Sequence, residues 1–369
     1  MENLIIYGGS FDPVHNGHMR IARAASLFLN ADVVFVPSRS PRWKKPVATP
    51  KQRLDMLKLA LKADNSSAFS IDLFEMNSKD EVNYSIDTVR YFSKLYPSHR
   101  LFLLIGADEV NSFANWKDAE EICRLATPLY VSRPDIVLDD KVLTHFNMRR
   151  LTYDKSGSVS SSAVRALSSV DIPILVRDYI EKNRLYYMER IEAEEKPGRL
   201  EHSVSVANLA YFIAQKNRCE DYQKAYIAGL LHDLGKETPD EEAKIVIDEH
   251  FPEYSNVPAW CRHQFVGAYK ARNEFGITDP TILDAIEFHA TGKPHMTPIG
   301  KIIYSSDKIE PTRGFDSQEL INECLKNYYV GFLAVLAANR QYLQGQGYSL
   351  TNPLTSACME LYLGDHGND

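Results

Sequence analysis

Two groups of histidines in this chain have the spacing of chemistry. The first lies in Gly8-Gly9-Ser10-Phe11-Asp12-Pro13-Val14-His15-Asn16-Gly17-His18, between a short apolar run and an amphipathic stretch. Gly8 and Gly9 let a backbone approach a ligand closely. His15 and His18 are three apart, so they share a face where the amphipathic stretch begins. Helix-start N–H groups lack intrahelical partners and lie at the positive end of the dipole, which favours a phosphate. Two imidazoles aimed at that place are donors for charge growing on phosphorus.

The second group is His202, His232-Asp233, His263, His289 and Asp307. Each shares a helical stripe with apolar residues: His202 with Val206, Leu209 and Ile213, His289 with Ile282 and Ile286, and Asp307 with Ile303. Six polar side chains turned inward are costly unless something binds them. A metal is the economical answer. Mixed imidazole and carboxylate donors suit Fe, Mn, Co or Zn, and six are enough for two ions. His99, His250 and His295 fit no pattern and read as surface residues.

The elements that must hold these groups differ between the two halves. Residues 1–187 alternate apolar runs (Leu4–Tyr7, Val33–Val36, Leu101–Ile105, Leu129–Val131) with amphipathic stretches at 19–29 and 53–63. That pattern predicts an α/β fold, a doubly wound parallel sheet. Residues 188–198 are charged, contain Pro197-Gly198, and read as a linker. From 199 to 345 helical periodicity dominates, which predicts an all-α domain, and the tail 346–369 is left without assignment. The chain has 369 residues, enough for two domains, with 44% hydrophobic and 25% charged residues. Its 42 basic and 49 acidic residues give a net charge of −7. No global basic field is present to hold a nucleic acid. No apolar run approaches the ~20 residues of a membrane span. Five scattered cysteines, never paired as CxxC, read as reduced thiols of a cytoplasmic protein.

His15-Asn16-Gly17-His18 resembles the (T/H)xGH signature of the nucleotidylyltransferase superfamily. Val159-Ser160-Ser161-Ser162-Ala163-Val164-Arg165 resembles its second signature, ISSTxIR, with Ser162 at the Thr position. Ser hydroxyls can cap a helix and contact phosphate, and Arg165 can pair with β- and γ-phosphates. The blocks Asn83–Thr88, Gly106-Ala107-Asp108 and Trp116-Lys117 narrow the resemblance to the nicotinate-nucleotide adenylyltransferases, over about residues 1–187. The resemblance implies a Rossmann-like fold and transfer of AMP from ATP, with Mg²⁺, to nicotinate mononucleotide. By position, His18 would contact the α-phosphate and His15 the flanking ones. Gly8, Gly9, Ser10, Phe11, Lys44 or Lys45, Asp108, Ser160, Ser161, Ser162 and Arg165 would hold ATP. Tyr84, Thr88 and Trp116 would line the nicotinate pocket, Trp116 stacking on the ring. A pantetheine-phosphate adenylyltransferase is the alternative within the superfamily.

Leu230-Leu231-His232-Asp233-Leu234-Gly235-Lys236 resembles the HD phosphohydrolase signature. The blocks around His263, His289 and Asp307 resemble the branch that cuts diadenosine tetraphosphate into two ADP. That resemblance implies metal ligands His202, His232, Asp233, His263, His289 and Asp307, with Asp233 bridging. Iron is the metal it suggests. Lys236 and Arg313 would contact phosphates. The alternative for this half is a regulatory module that binds nucleotides, or action on other nucleotides.

Overall fold

The computed structural model describes residues 2–42, 45–132, 136–152, 159–314, 316–345 and 352–364. The chain divides into two compact units, Met1–Tyr186 and Tyr187–Asp369. Lys44 lies outside the described residues.

The first unit is a six-stranded parallel sheet in the order β3-β2-β1-β4-β5-β6. Its strands are β1 (Asn3–Gly9), β2 (Ala31–Pro37), β3 (Phe69–Ile71), β4 (Arg100–Gly106), β5 (Thr127–Val131) and β6 (Arg149–Arg150). The four apolar runs are the inner strands. Covered by helices on both faces, a parallel strand reads as continuously apolar rather than alternating, and Ile5, Ile6, Val33 and Leu103 are all buried. The short edge strands β3 and β6 carry no such run, which is why the sequence does not announce them. Ile6, Val34, Leu103 and Ile105 pack with Ile86, Val89 and Phe92 of the helix Ser85–Leu95. Strand order reverses between β1 and β4, and ligands of open α/β sheets bind beyond the carboxyl ends at such a point. Gly8-Gly9 and Gly106 end those two strands. Helix α1 (Asn16–Leu29) starts there, and Asn30, in the left-handed conformation, closes it. Helix α2 (Pro50–Asp64) carries a Thr49 cap and Pro50 at its first position.

The second unit is helical. The stretch read as a linker is instead α3 (Tyr187–Glu194) and the first turn of α4 (Pro197–Lys216). Most of its charges lie outward, while Glu195 is buried along with Tyr187, Met188 and Ile191. Pro197 does not end a linker. It opens α4, where its missing N–H costs nothing. The helices α5 (Tyr222–Leu231), α6 (Arg262–Asn273), α7 (Pro280–Glu287) and α8 (Pro298–Ile309) follow. The tail, left without assignment above, contains α9 (Pro353–Leu363). Leu354 of α9 packs against the cluster of Ile247, Phe265 and Phe288, and the Tyr362 hydroxyl of α9 accepts the Met296 N–H at 2.9 Å. No helix among the described residues is long and apolar enough to cross a membrane.

Ile191 separates a packed helix from a linker. Ile191→Ala is expected to cost about 2–5 kcal/mol of stability, the usual range for truncating a fully buried isoleucine. Urea unfolding measures it, and a linker residue would give a change near zero.

Two candidate sites of opposite polarity

In the first unit, a cavity of about 580 Å³ lies at the β1/β4 switch point. Gly8 to Asp12 line it from the end of β1, His15 and His18 from the start of α1, Asp108 from the end of β4, and Ser160 to Ser162 with Arg165 from the helix Ser161–Arg165. The structure therefore brings both signature runs to one space, although they lie about 145 residues apart in the chain. Lys45 lines it too.

His15 and His18 are fixed by each other. The His18 N–H donates to His15 Nδ1 at 3.3 Å, and the His15 N–H donates to His18 Nδ1 at 3.2 Å. This is a reciprocal cap built from two imidazoles, whose rings stack 3.6 Å apart. Each Nδ1 is an acceptor, so a neutral ring carries its hydrogen on Nε2. Gly17 makes the stack possible: a Cβ there would lie 2.9 Å from His15 Nδ1 and 2.8 Å from Val159. Asn16 and Arg20 are tied to Asp171 at 2.9 and 2.7 Å, which anchors the start of α1. Phe11 is buried, its ring edge-on to His18.

The loop after β1 depends on groups outside the signatures. Arg53 is fully buried, and its guanidinium donates to the carbonyls of Ser10 and Arg39 at 2.6 and 3.1 Å. Burial lowers its pKa, against the attraction of Asp12. Asp12 accepts N–H bonds from Val47 and Ala48 and the Tyr186 hydroxyl at 2.9 Å. Arg165 donates to the Asp12 carbonyl, and Ser161 to that of Pro13. Arg53 heads the stripe Arg53, Met56, Leu57, Ala60. A charge at the head of an apolar stripe was the readable signal for it.

A second cleft opens beside the first, lined by Tyr84, Trp116, Lys117, Arg42, Asn83 and Glu75. Tyr84 and Trp116 share this cleft. Thr88, expected with them, does not. It is buried and donates to Glu75 Oε1 at 2.6 Å, so it holds Glu75 at the cleft instead of lining it. Burial raises the Glu75 pKa, opposed by the hydrogen bonds from Thr88 and Ser38.

In the second unit the six predicted side chains converge. Ligand atoms of His202, His232 and Asp233 lie within 4.8 Å of one another, as do those of Asp233, His263 and His289. Asp233 is common to both sets. Asp307 joins the first, 3.2 Å from His202 Nε2 and 3.7 Å from His232 Nε2. The His232-Asp233 pair sits just past α5, in a turn where Gly235 packs so closely on α6 that a Cβ would lie 2.3 Å from the His263 carbonyl oxygen.

Here the rings are polarised the other way. The Nδ1 atoms of His232, His263 and His289 lie 2.7, 3.0 and 2.7 Å from the carbonyls of Gly229, Trp260 and Ile286. Carbonyls only accept, so each Nδ1 carries a hydrogen and, in the neutral ring, Nε2 presents a lone pair. His263 Nε2 and His289 Nε2 face each other across 3.1 Å. His232 Nε2 is buried without a hydrogen-bond partner, 3.8 Å from Asp233 Oδ2. Burial works against charge on His232, but Asp233 and Asp307 prevail and raise its pKa to about 9. Burial holds His263 and His289 below the usual range. Facing lone pairs beside two carboxylates form a cation site, and the residues fit divalent metal ions.

Four neighbours complete it. Glu310 Oε1 lies 2.9 Å from His202 Nδ1. Arg199 and Arg313 hold Asp233 and Asp307 at 2.7 and 2.5 Å. Glu195, pushed up to about 7 by burial, accepts from Ser203 at 3.2 Å. Glu310 is three residues after Asp307, and Arg199 three before His202, a spacing that places each on the face of its neighbour. Lys236 is exposed, with Nζ 3.3 Å from His263 Nε2.

The Cytidylyltransferase-like family pattern matches residues 6–167, and the HD domain pattern matches residues 199–312. An HDOD pattern matches 157–240. A Mycoplasma genitalium protein named a probable nicotinate-nucleotide adenylyltransferase/Ap4A hydrolase is 32% identical over 91% of this chain and 97% of its own length. The protein of the same name from Mycoplasma pneumoniae is 30% identical over 84% of this chain and 89% of its own. A probable nicotinate-nucleotide adenylyltransferase of Methylacidiphilum infernorum is 36% identical, covering 52% of this chain and 96% of its own. The HD match and the donor set make the second unit a divalent-metal-binding domain.

Ring polarity can be read by nitrogen NMR with a diamagnetic divalent ion added. His15 and His18 are expected to carry hydrogen on Nε2, and His232, His263 and His289 on Nδ1. The opposite tautomer in either group contradicts the assignment.

Proposed function

From the premise that the chain belongs to the family of two-domain proteins joining a nicotinate-nucleotide adenylyltransferase to an HD hydrolase, we propose a bifunctional enzyme of adenine nucleotides. The first unit transfers AMP from ATP to nicotinate mononucleotide, giving deamido-NAD and pyrophosphate. The second cleaves diadenosine tetraphosphate with one water into two ADP. Five scattered cysteines with no CxxC pair support a cytoplasmic setting.

One observation carries the first activity: two Nε2–H donors, the Ser160 cap and Arg165 surround a single cavity at the switch point. ATP, brought in with Mg²⁺, lies along it. A phosphate oxygen of nicotinate mononucleotide attacks the α-phosphorus in line. The new P–O bond forms as the bond to the β-phosphate oxygen breaks, and pyrophosphate leaves with that electron pair. No protein nucleophile takes part. His18 stabilises charge on the α-phosphate oxygens and His15 on the flanking phosphate, a preorganised field that need not reorient during reaction. Arg165, Lys45 and the Ser160–Ser162 hydroxyls hold the phosphates being released, and Asp108 the adenosine. Trp116 stacks on the pyridine ring in the second cleft, and Tyr84 lines it. That the two clefts share Gly8, Gly9 and Ser10 supports an in-line approach between them.

In the second unit His202, His232, Asp233, His263, His289 and Asp307 would hold two divalent ions. Iron is the choice we favour over Mn, Co or Zn. Such ions supply Lewis acidity toward phosphate oxygens and activate water. Arg199 pairs with Asp233, the carboxylate common to both sets of imidazoles. Lys236 and the partly exposed Arg313 are the cations within reach of a polyphosphate.

The two activities should separate by substitution. His18→Ala is expected to lower deamido-NAD synthesis by about 10²–10³ and leave diadenosine tetraphosphate hydrolysis intact. Asp233→Asn should do the reverse. Product analysis of both variants on both substrate sets, with pantetheine phosphate offered in place of nicotinate mononucleotide, tests this. Loss of both activities in either variant, or transfer to pantetheine phosphate, contradicts it.

A further inference from the structure

We propose that the two ion positions of the second unit are unequal: the first ion enters among His202, His232, Asp233 and Asp307, and Glu310 sets the preference. The inference rests on the two-ion reading above. It follows from what stands behind each ring. At the other position, His263 and His289 give Nδ1–H to backbone carbonyls. His202 alone among the four histidines sets Nδ1 against a carboxylate, Glu310, at 2.9 Å. A carboxylate behind an imidazole fixes the ring and raises the basicity of its other nitrogen.

Glu310 is built to do this. It is 1% exposed, and its oxygens also accept the Thr312 N–H at 2.7 Å and the Thr312 hydroxyl at 2.8 Å. Its orientation is therefore set from both sides. The donor count points the same way. The Glu310 position gathers His202, Asp233 and Asp307, both carboxylates among them, around His232 Nε2, a buried atom with no hydrogen-bond partner among the described residues. The His263–His289 position has three side chains in all, one of them Asp233 shared with its neighbour. It also has Lys236 3.3 Å from His263 Nε2. Arg199 and Arg313 now occupy Asp233 and Asp307. Both side chains are about one-third exposed, 31% and 39%, so a divalent ion can exchange for them at the carboxylates. Glu310 cannot leave in the same way.

Metal-free full-length protein titrated with Mn²⁺ alone, followed by calorimetry and by the EPR signal of free Mn²⁺, reads the order directly. Wild type is expected to bind in two steps separated by tenfold or more. Glu310→Gln should weaken the first step by about 10–100-fold, the usual effect of removing such a partner. His263→Ala keeps Glu310 and should lose only the weaker step. Circular dichroism establishes that each variant is folded. If Glu310→Gln is not, His263→Ala decides. Two equivalent steps in wild type, an unaltered first step in folded Glu310→Gln, or loss of the tighter step in His263→Ala overturns the proposal. Binding of no Mn²⁺ overturns the two-ion reading itself.

Discussion

What the Nδ1 atom of each histidine touches decides the polarity of both sites. A ring whose Nδ1 accepts a backbone N–H offers a donor at Nε2. A ring whose Nδ1 donates to a carbonyl offers a lone pair. His15 and His18 are of the first kind because they cap the start of a helix, where N–H groups lack a helical carbonyl four residues back. His232, His263 and His289 are of the second kind because each lies three residues after a carbonyl at a helix end or helix start. One residue type thus builds an anion cradle in one unit and a cation cradle in the other. The side chain is the same; the local backbone sets its sign.

That dependence explains why the scaffolds differ. An anion cradle needs a strand ending in glycine and a helix beginning beside it, which a parallel sheet supplies at the reversal between β1 and β4. A cation cradle needs several rings from different directions, which helices packed around a common interior supply. In each unit a buried charge braces the site, through backbone in one and through a ring in the other. Arg53 fixes the Ser10 carbonyl in one unit, and Glu310 fixes His202 in the other.

Much of the grouping of these side chains was legible in the chain. His15, His18, Asp233 and their companions declare themselves because polar residues at helical spacing on apolar stripes are expensive unless used. The inner strands declare themselves as continuous apolar runs. Other features were not legible. Residues 188–198 look like a linker because their charges outnumber the two apolar residues that bury, Met188 and Ile191. Thr88 looks like a pocket residue, but its hydroxyl faces Glu75, whose distance from it only the fold sets. Arg53 and Arg199 act on partners 43 and 34 residues away. A stripe shows that such a charge turns inward, not what it meets.

Ring nitrogens on both sides of Asp233 require cations. Anomalous diffraction from crystals of the protein as purified, with data on both sides of the iron edge, tests this most directly. The account predicts two peaks flanking the Asp233 carboxylate, one beside His202 and His232 and one between His263 and His289. Density with no anomalous signal there, or peaks bound elsewhere on the chain, would contradict it.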